Sequence, residues 1–180
     1  MEGLRKIVAI KASLNKGLSE ELKAAFPNII PVPMLEVNLN YTKDPNWFAE
    51  YIYQERVFLI SIFKSKILTG YAVRLRFNLV QHSRDTQLMK SLVEYLGCGR
   101  YVAGPLGYDH GEFIVSNLSD ITEIIIPFFE KYPIKGNKSL DFSDFCKATQ
   151  IMENKSHLTF EGLDKIRLIK SGLNRGRETL

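Results

Sequence analysis

Cysteine, histidine and tryptophan are scarce in this chain of 180 residues, which has two, three and one of them respectively. Cys98 and Cys146 lie far apart without metal-ligand spacing, so we expect reduced, packed thiols rather than a disulfide framework or a zinc site. The histidines also lack ligand spacing. Long hydrophobic runs are absent, since residues 57–63 and 124–129 are far too short to span a bilayer. We therefore expect no membrane partner.

The chain also lacks a large excess of positive or negative charge. The 24 Lys and Arg residues against 20 Asp and Glu residues leave a formal net charge of +4, which permits a polyanionic partner without requiring one. Hydrophobic residues make up 45% of the chain, with 8 Tyr and 11 Phe among them. This composition argues against disorder, and the length predicts one main domain with a hydrophobic core.

An internal repeat links the two ends of the chain. Residues 3–17 and 162–176 are identical at nine of fifteen positions. Two unrelated amphipathic helices would be the alternative explanation. We interpret the match as a repeat whose last element alone appears twice. Residues 1–43 are then a remnant helix of a first repeat plus a linker with Pro27, Pro31 and Pro33, and residues 44–180 are a complete second repeat.

The order of predicted elements indicates an α+β fold. Alternating apolar residues predict strands at residues 57–65, 71–81, 99–102 and 112–115. One helix is predicted to begin at Asp44 and Pro45, and another to end at Gly97. Further helices are predicted at residues 120–132, 141–152 and 159–173. The resulting αββαββα unit would have a four-stranded antiparallel sheet with helices on one face and an open opposite face.

The stretch from Asp44 to Phe58 resembles the signature helix of the LAGLIDADG homing endonucleases, whose motif reads roughly Trp-hydrophobic-Ala-Gly-Phe-Ile-Asp-Gly-Glu-Gly-x-Phe. The matching residues are Trp47, Ala49, Ile52, Glu55 and Phe58, and the departures are Glu50, Tyr53, Gln54 and Arg56. Residues 81–85, 128–133 and 138–142 also resemble family motifs. The resemblance implies a single LAGLIDADG unit with an open saddle face.

In this family two signature helices pair, and each supplies an acid that holds divalent metal for phosphodiester cleavage. This chain supplies Glu55 alone, so we interpret Glu55 as a vestigial catalytic residue and metal ligand. The resemblance also implies that Gln81 and Lys138 lie near the catalytic pocket. Glu50, in place of a glycine between the helices, disfavours a homodimer because two carboxylates would meet there.

The open face is the expected nucleic-acid surface. The residues predicted to bind nucleic acid are Arg74, Arg76, Asn78, Arg100, Lys64, Lys66 and Lys135. On the first strand the outward positions would be Val57, Leu59, Ser61 and Phe63, which are mostly apolar and could instead cover a protein partner. Phe63, Tyr71 and Tyr101 could stack on unpaired bases.

These observations lead to a first hypothesis and to alternatives. The first is a cleavage-inactive nucleic-acid-binding protein, needing no cofactor and favouring RNA over DNA, retained in a mitochondrial ribonucleoprotein such as the mitoribosome or as a splicing aid. The alternative is a subunit of an active Mg-dependent homing endonuclease that cuts double-stranded DNA. A pure protein–protein module is a third interpretation. The mitochondrial location is implied by the resemblance alone, through the family's fungal and organellar introns.

Overall fold

A computed structural model describes residues 2–14, 17–33, 44–52 and 57–174 of the chain. It divides into two compact units, residues 1–38 and 39–180. The first unit contains helices α1 (Glu2–Ser13) and α2 (Glu20–Ala25). Ser19 caps α2 by accepting a hydrogen bond from the Leu22 N–H. That residues 1–43 are the remnant of a first repeat stays a prediction.

The second unit is built on a four-stranded antiparallel sheet in the order β1-β2-β4-β3. Its strands are β1 (Phe58–Lys64), β2 (Tyr71–His82), β3 (Arg100–Ala103) and β4 (His110–Val115). Its helices are α3 (Pro45–Tyr51), α4 (Thr86–Leu96), α5 (Leu118–Asp120), α6 (Ile126–Lys131), α7 (Lys138–Glu153) and α8 (Phe160–Gly172). The predicted α+β fold is confirmed.

Phenylalanine rings fill the space between the sheet and its helices. Every second residue of a strand points to the same face, which places Phe58, Phe77 and Phe113 together on the helix side. The ring centroids of Phe58 and Phe145 are 5.0 Å apart, and those of Phe77 and Phe129 are 5.7 Å apart. All five side chains are at most 1% exposed, and burying each one stabilises the fold by about 1.5–3 kcal/mol.

Local signals set the helix ends. The Asp44 carboxylate accepts a hydrogen bond from the Asn46 N–H at 2.9 Å, and Pro45 opens α3, as predicted. Gly97 ends α4 with a φ of 69°, which suits glycine. The expected third turn of α3 falls on residues 53–56, which lie outside the described residues.

The helix predicted at residues 120–132 is not one α-helix. A π-helical segment, Ile121–Ile125, separates α5 from α6. Pro127 has no N–H and cannot donate to the preceding turn, which accounts for a change of hydrogen-bond register beside it. Within the described residues, no helix combines the length and the apolar character needed to cross a membrane.

Candidate nucleic-acid interface

The strand register sorts the site residues onto two faces of the sheet. Arg74 pairs with Ser61 and Arg76 pairs with Leu59, on the face opposite the phenylalanine core. On the same face, Ile114 of β4 has Asn78 as its partner on β2 and Arg100 as its partner on β3. Two strands, β2 and β3, thus carry predicted binding residues on one open face, which we call the saddle face, with β4 between them.

The arginines give the saddle face its cationic character. Arg74 and Arg100 are exposed and Arg76 is half-buried. The guanidinium carbon of Arg74 lies 5.1 Å from the centroid of the Phe63 ring, a cation–π contact that orients the side chain. A guanidinium held in this way can still donate to phosphate oxygens or to guanine.

Asn78 lies on the saddle face but is only 8% exposed. Its backbone N–H donates to the Val57 carbonyl at 2.8 Å, and among the described residues its side-chain Oδ1 is buried without a hydrogen-bond partner. The predicted binding role for Asn78 therefore requires a side chain that is more accessible than the one in this structure.

The first strand is less apolar on its outer face than the sequence predicts. Val57 precedes β1 and is fully buried, Leu59 is half-buried, and Ser61 is exposed. Phe63 alone of the predicted outward apolar residues is more than one-third exposed, at 41%. Packing at the start of β1 covers Val57 and leaves Leu59 and Phe63 as the accessible apolar residues of this face, and a protein partner for it stays a prediction.

Two of the three aromatic residues expected to stack on bases lie on the helix side of the sheet. The Tyr101 hydroxyl is 2.9 Å from Thr86 Oγ1 at the start of α4, and the Arg167 guanidinium of α8 stacks 5.0 Å from the Tyr71 ring. The strand alternation, which sets both residues on the face opposite Arg74, explains why this part of the prediction is wrong.

The three predicted binding lysines lie away from the open face of the strands. Lys64 ends β1, level with Tyr71 in the register, and Lys66 follows in the turn; both are exposed. Lys135 Nζ lies 3.5 Å from Glu50 Oε1 of α3, beside a cavity of about 340 Å³. The Glu50 carboxylate, which was expected to repel the Glu50 of a second copy, forms an ion pair with Lys135 of its own chain.

Lys138 belongs to a buried polar cluster at the end of α8. Its Nζ lies 3.2 Å from Asp141 Oδ2, with both side chains only 10% exposed, and donates to Asn174 Oδ1 at 3.3 Å. Asn174 Nδ2 donates in turn to the Phe58 carbonyl at 2.9 Å. This cluster ties α7 and Asn174, two residues after α8, to Phe58, which is the first residue of β1 and the last residue of the signature motif.

Asn174 is the functional candidate that sequence reasoning missed. Its backbone N–H also donates to Asp141 Oδ1 at 3.1 Å, and its φ of 62° is a left-handed conformation that asparagine tolerates better than most residues. A signal was present, because Asn174 is one of the nine identical positions of the internal repeat, where it matches Asn15.

The predicted catalytic set is only partly within the described residues. Gln81 is half-buried near the end of β2, where it pairs with Gly111. Glu55 lies outside the described residues, so its geometry relative to Gln81 and Lys138 stays a prediction. Within the described ranges, no three His, Cys, Asp or Glu side chains gather into a group that could hold a metal ion.

Cys98 and Cys146 are free thiols. Burial, reinforced by the nearby Asp120 carboxylate, raises the pKa of Cys98 to about 11. Burial, with a smaller contribution from Glu130, raises the pKa of Cys146 to about 11 as well. Both therefore stay protonated and unreactive near neutral pH, in keeping with the packing role expected from the sequence.

An antiparallel sheet with a helical layer on one face and arginines on its open face defines the class of the protein as α+β. Residues 55–149 match the family described as LAGLIDADG endonuclease. The chain belongs to the LAGLIDADG endonuclease family, as its signature stretch indicates.

Curated and solved relatives agree with this assignment. Probable intron-encoded endonucleases 2 and 3 of Neurospora crassa are each 40% identical to this chain, over 96% and 94% of it. The structure of the I-SmaMI LAGLIDADG homing endonuclease bound to cleaved DNA matches 99% of the chain at 47% identity with a TM-score of 0.87. The I-LtrWI homing endonuclease bound to target DNA matches 99% at 41% identity with a TM-score of 0.85.

The relatives overturn the expected preference for RNA. Both solved relatives are bound to DNA, so the prediction that RNA is favoured over DNA is wrong, and a role in a ribonucleoprotein has no support. The chain spans 39% and 32% of the two Neurospora proteins and 59% of the I-SmaMI chain. Much of each relative therefore lies outside the match.

Proposed function

We propose that this chain is a DNA-binding unit of a homing endonuclease, which places its saddle face in the major groove of double-stranded DNA. Cleavage would require magnesium and a second LAGLIDADG unit, whose acid completes the site to which Glu55 contributes. The single observation that carries the proposal is the shared open face of Arg74 and Arg76 on β2 and Arg100 on β3, the two strands that flank β4.

The geometry suits duplex DNA. The major groove admits a β-ribbon, and guanidinium groups can contact phosphates and can donate two hydrogen bonds to guanine. The Phe63 ring limits the motion of Arg74, so less conformational freedom is lost when that side chain binds. The matched relatives bound to DNA support the same choice of partner.

DNA binding can be tested with random-sequence duplexes and fluorescence anisotropy. We expect the combined change Arg74→Ala and Arg76→Ala to weaken binding by about tenfold or more, and to lower the salt slope by roughly one for each phosphate that an arginine no longer neutralises. Lys147→Ala and Lys165→Ala, on exposed parts of α7 and α8, are the matched controls. Equal affinity and salt slope for the arginine and control variants would contradict the proposal.

Magnesium would supply a Lewis acid that activates water and stabilises the leaving oxygen. The described residues contain no cluster able to hold it, so the ion needs Glu55 and a further acid from the second unit. Lys138, buried against Asp141, would act as a positioning residue that holds the start of β1.

The role of Glu55 can be separated from DNA binding. In an assay that also contains the second LAGLIDADG unit, we expect Glu55→Gln to abolish Mg-dependent plasmid nicking. The affinity of the chain for duplex DNA should stay unchanged. Glu50→Gln serves as the control because that carboxylate pairs with Lys135 on the surface. Nicking that survives in the Glu55 variant would remove Glu55 from the proposed site.

A mitochondrial location is a further part of the proposal. It is supported by relatives that are described as intron-encoded endonucleases of fungi, and by a Podospora anserina relative from ND4 intron 1. Imaging a tagged chain in its source cells would test it, and exclusion from mitochondria would contradict it.

A further inference from the structure

The four strands of the sheet contain a single acidic residue, Glu112 of β4. In the strand register Glu112 pairs with Val80 of β2 and with Val102 of β3. Because side chains alternate along a strand, Glu112 lies on the saddle face, whereas the next residue, Phe113, points to the helices. One carboxylate thus lies among the cations of the saddle face.

The surroundings of Glu112 leave its carboxylate without a cation. The side chain is half-buried, and the flanking Val80 and Val102 are 39% and 38% exposed. Arg100 lies diagonally across from Glu112, since its own partner on β4 is Ile114. All ion pairs among the described residues nevertheless involve other acids. The carboxylate therefore lies between two valines with its acceptor oxygens available to a ligand.

The major groove of DNA offers few donors to such a group. The exocyclic amines of cytosine and adenine donate hydrogen bonds there, whereas the exposed oxygens of guanine and thymine accept them. An ionised carboxylate can only accept, so it pairs with the amines and is repelled by the oxygens. Adenine has its N7 acceptor beside the amine, and cytosine has no acceptor in this groove. Cytosine is therefore the base that suits a carboxylate best.

The arginines of β2 lie at a different level of the groove. Arg76 comes four residues before Val80, which is about 13 Å along an extended strand. Base pairs are stacked about 3.4 Å apart, so a strand that follows the groove covers about four of them over this distance. The contacts of Arg76 and those of Glu112 therefore fall on separate base pairs.

We propose that Glu112 is a specificity-determining residue, which selects cytosine by accepting a hydrogen bond from the N4 amine of that base. Val80 and Val102 pack against the C5 positions of neighbouring pyrimidines, where thymine carries its methyl group. The arginines meet guanines or phosphates about four base pairs away. This inference rests on the proposed function, because it names the base that the saddle face selects in duplex DNA.

Selection of the full chain's preferred sites from a pool of random-sequence duplexes tests this assignment. We expect one position at which cytosine is preferred over guanine and thymine by about tenfold or more. Glu112→Gln keeps the size of the side chain and adds an amide donor, and glutamine pairs with both N6 and N7 of adenine. The preferred base at that position should change from cytosine to adenine, and the other positions should keep their preferences.

A control and a second measurement separate base contact from charge. Glu94→Gln removes the same charge from an exposed residue of α4, away from the saddle face, and should leave the selected sequence unchanged. In the second measurement, N4-methylcytosine replaces the selected cytosine, so that a methyl group takes the place of the hydrogen that faces the groove. Fluorescence anisotropy should show an affinity loss of about tenfold for the unaltered chain and little further loss for Glu112→Gln.

Three results would overturn the inference. They are a selected sequence without a cytosine position, an unchanged preference in Glu112→Gln, and a change of preference at several positions at once. The last result would show that Glu112 orients a neighbour such as Arg100 instead of contacting a base.

Failure of the proposed function gives a different result. In that case the duplex affinity itself is insensitive to the combined change Arg74→Ala and Arg76→Ala. Binding that depends on these arginines but shows no base preference due to Glu112 therefore rejects this inference alone.

Discussion

The two faces of strand β2 differ in what their residues do, although those residues alternate along one segment of chain. Phe77 and Leu79 point to the helices and are fully buried, whereas Arg74 points the other way and is exposed. The helix-side residues contribute to the stability of the unit, and Arg74 on the saddle face is accessible to a ligand. Because side chains alternate, a single β-strand can bury one set of residues in the core and leave the other set on the open face.

The largest expected effect is a difference in stability between variants of two neighbouring residues that lie on opposite faces of β2. Phe77→Ala removes a ring that contacts Phe58 and Phe129 in the core, and should lower the free energy of unfolding by about 3–5 kcal/mol. Arg76→Ala, one position earlier, should change it by no more than about 0.5 kcal/mol. Urea denaturation followed by circular dichroism measures both, and equal losses of stability would erase the distinction between the faces.

The next largest effect is the loss of stability expected when the polar cluster of Lys138, Asp141 and Asn174 is disrupted. Asn174→Ala removes the hydrogen bonds to the Phe58 carbonyl and from Lys138, and should cost about 1–3 kcal/mol. Asn174→Gly removes the same bonds but accepts the φ of 62° without strain, so it should be less destabilised than the alanine variant. The reverse ranking in urea denaturation would show that backbone conformation contributes nothing here.

Asn78 offers a sharper test of the comparison, since it lies on the saddle face yet is buried. Asn78→Leu replaces an amide whose Oδ1 has no partner in the described structure, so we expect unfolding free energy to stay within about 1 kcal/mol or to rise. Duplex affinity should change little. A large decrease in affinity would show that Asn78 reaches DNA by moving out of its buried position.

The smallest effect is a pH dependence that belongs to the helix side. Burial raises the pKa of Cys98 from its ordinary value of 9.0 to about 11, so the unfolded chain releases this proton first as pH rises. Stability is therefore full below about pH 9 and declines as the pH approaches about 11. Cys146 behaves in the same direction. Denaturation at alkaline pH should show a smaller decline for Cys98→Ala with Cys146→Ala than for the unaltered chain.

Much of the fold could be predicted because its signals are local. Capping residues such as Asp44, Ser19 and Thr159 act within three residues of themselves, and the side chain of each accepts a hydrogen bond from a backbone N–H of the first turn. The four strands were also predictable from alternation, to within two residues at their ends. The choice between DNA and RNA could not be predicted, because arginines on a sheet suit either nucleic acid.

The site was predictable only in part. Arg74, Arg76 and Arg100 do share a face, as the alternation indicates. The burial of Val57 and the orientation of Tyr101 toward α4 could not be predicted, since both depend on what packs beside the strand ends. The binding and catalytic roles of all these residues remain predictions.

By itself the sequence determined the family, the order of elements and the repeat that relates α1 to α8, because each is written in short-range patterns or in direct identity. Tertiary structure alone decided that β4 lies between β2 and β3, and that Asn174 reaches the Phe58 carbonyl from 116 positions away. It also decided that Leu163 and Ile166 of α8 are buried, whereas Leu4 and Ile7, at the matching repeat positions of α1, are exposed. The physical reason is that burial depends on which surfaces meet, and residues distant along the chain supply those surfaces.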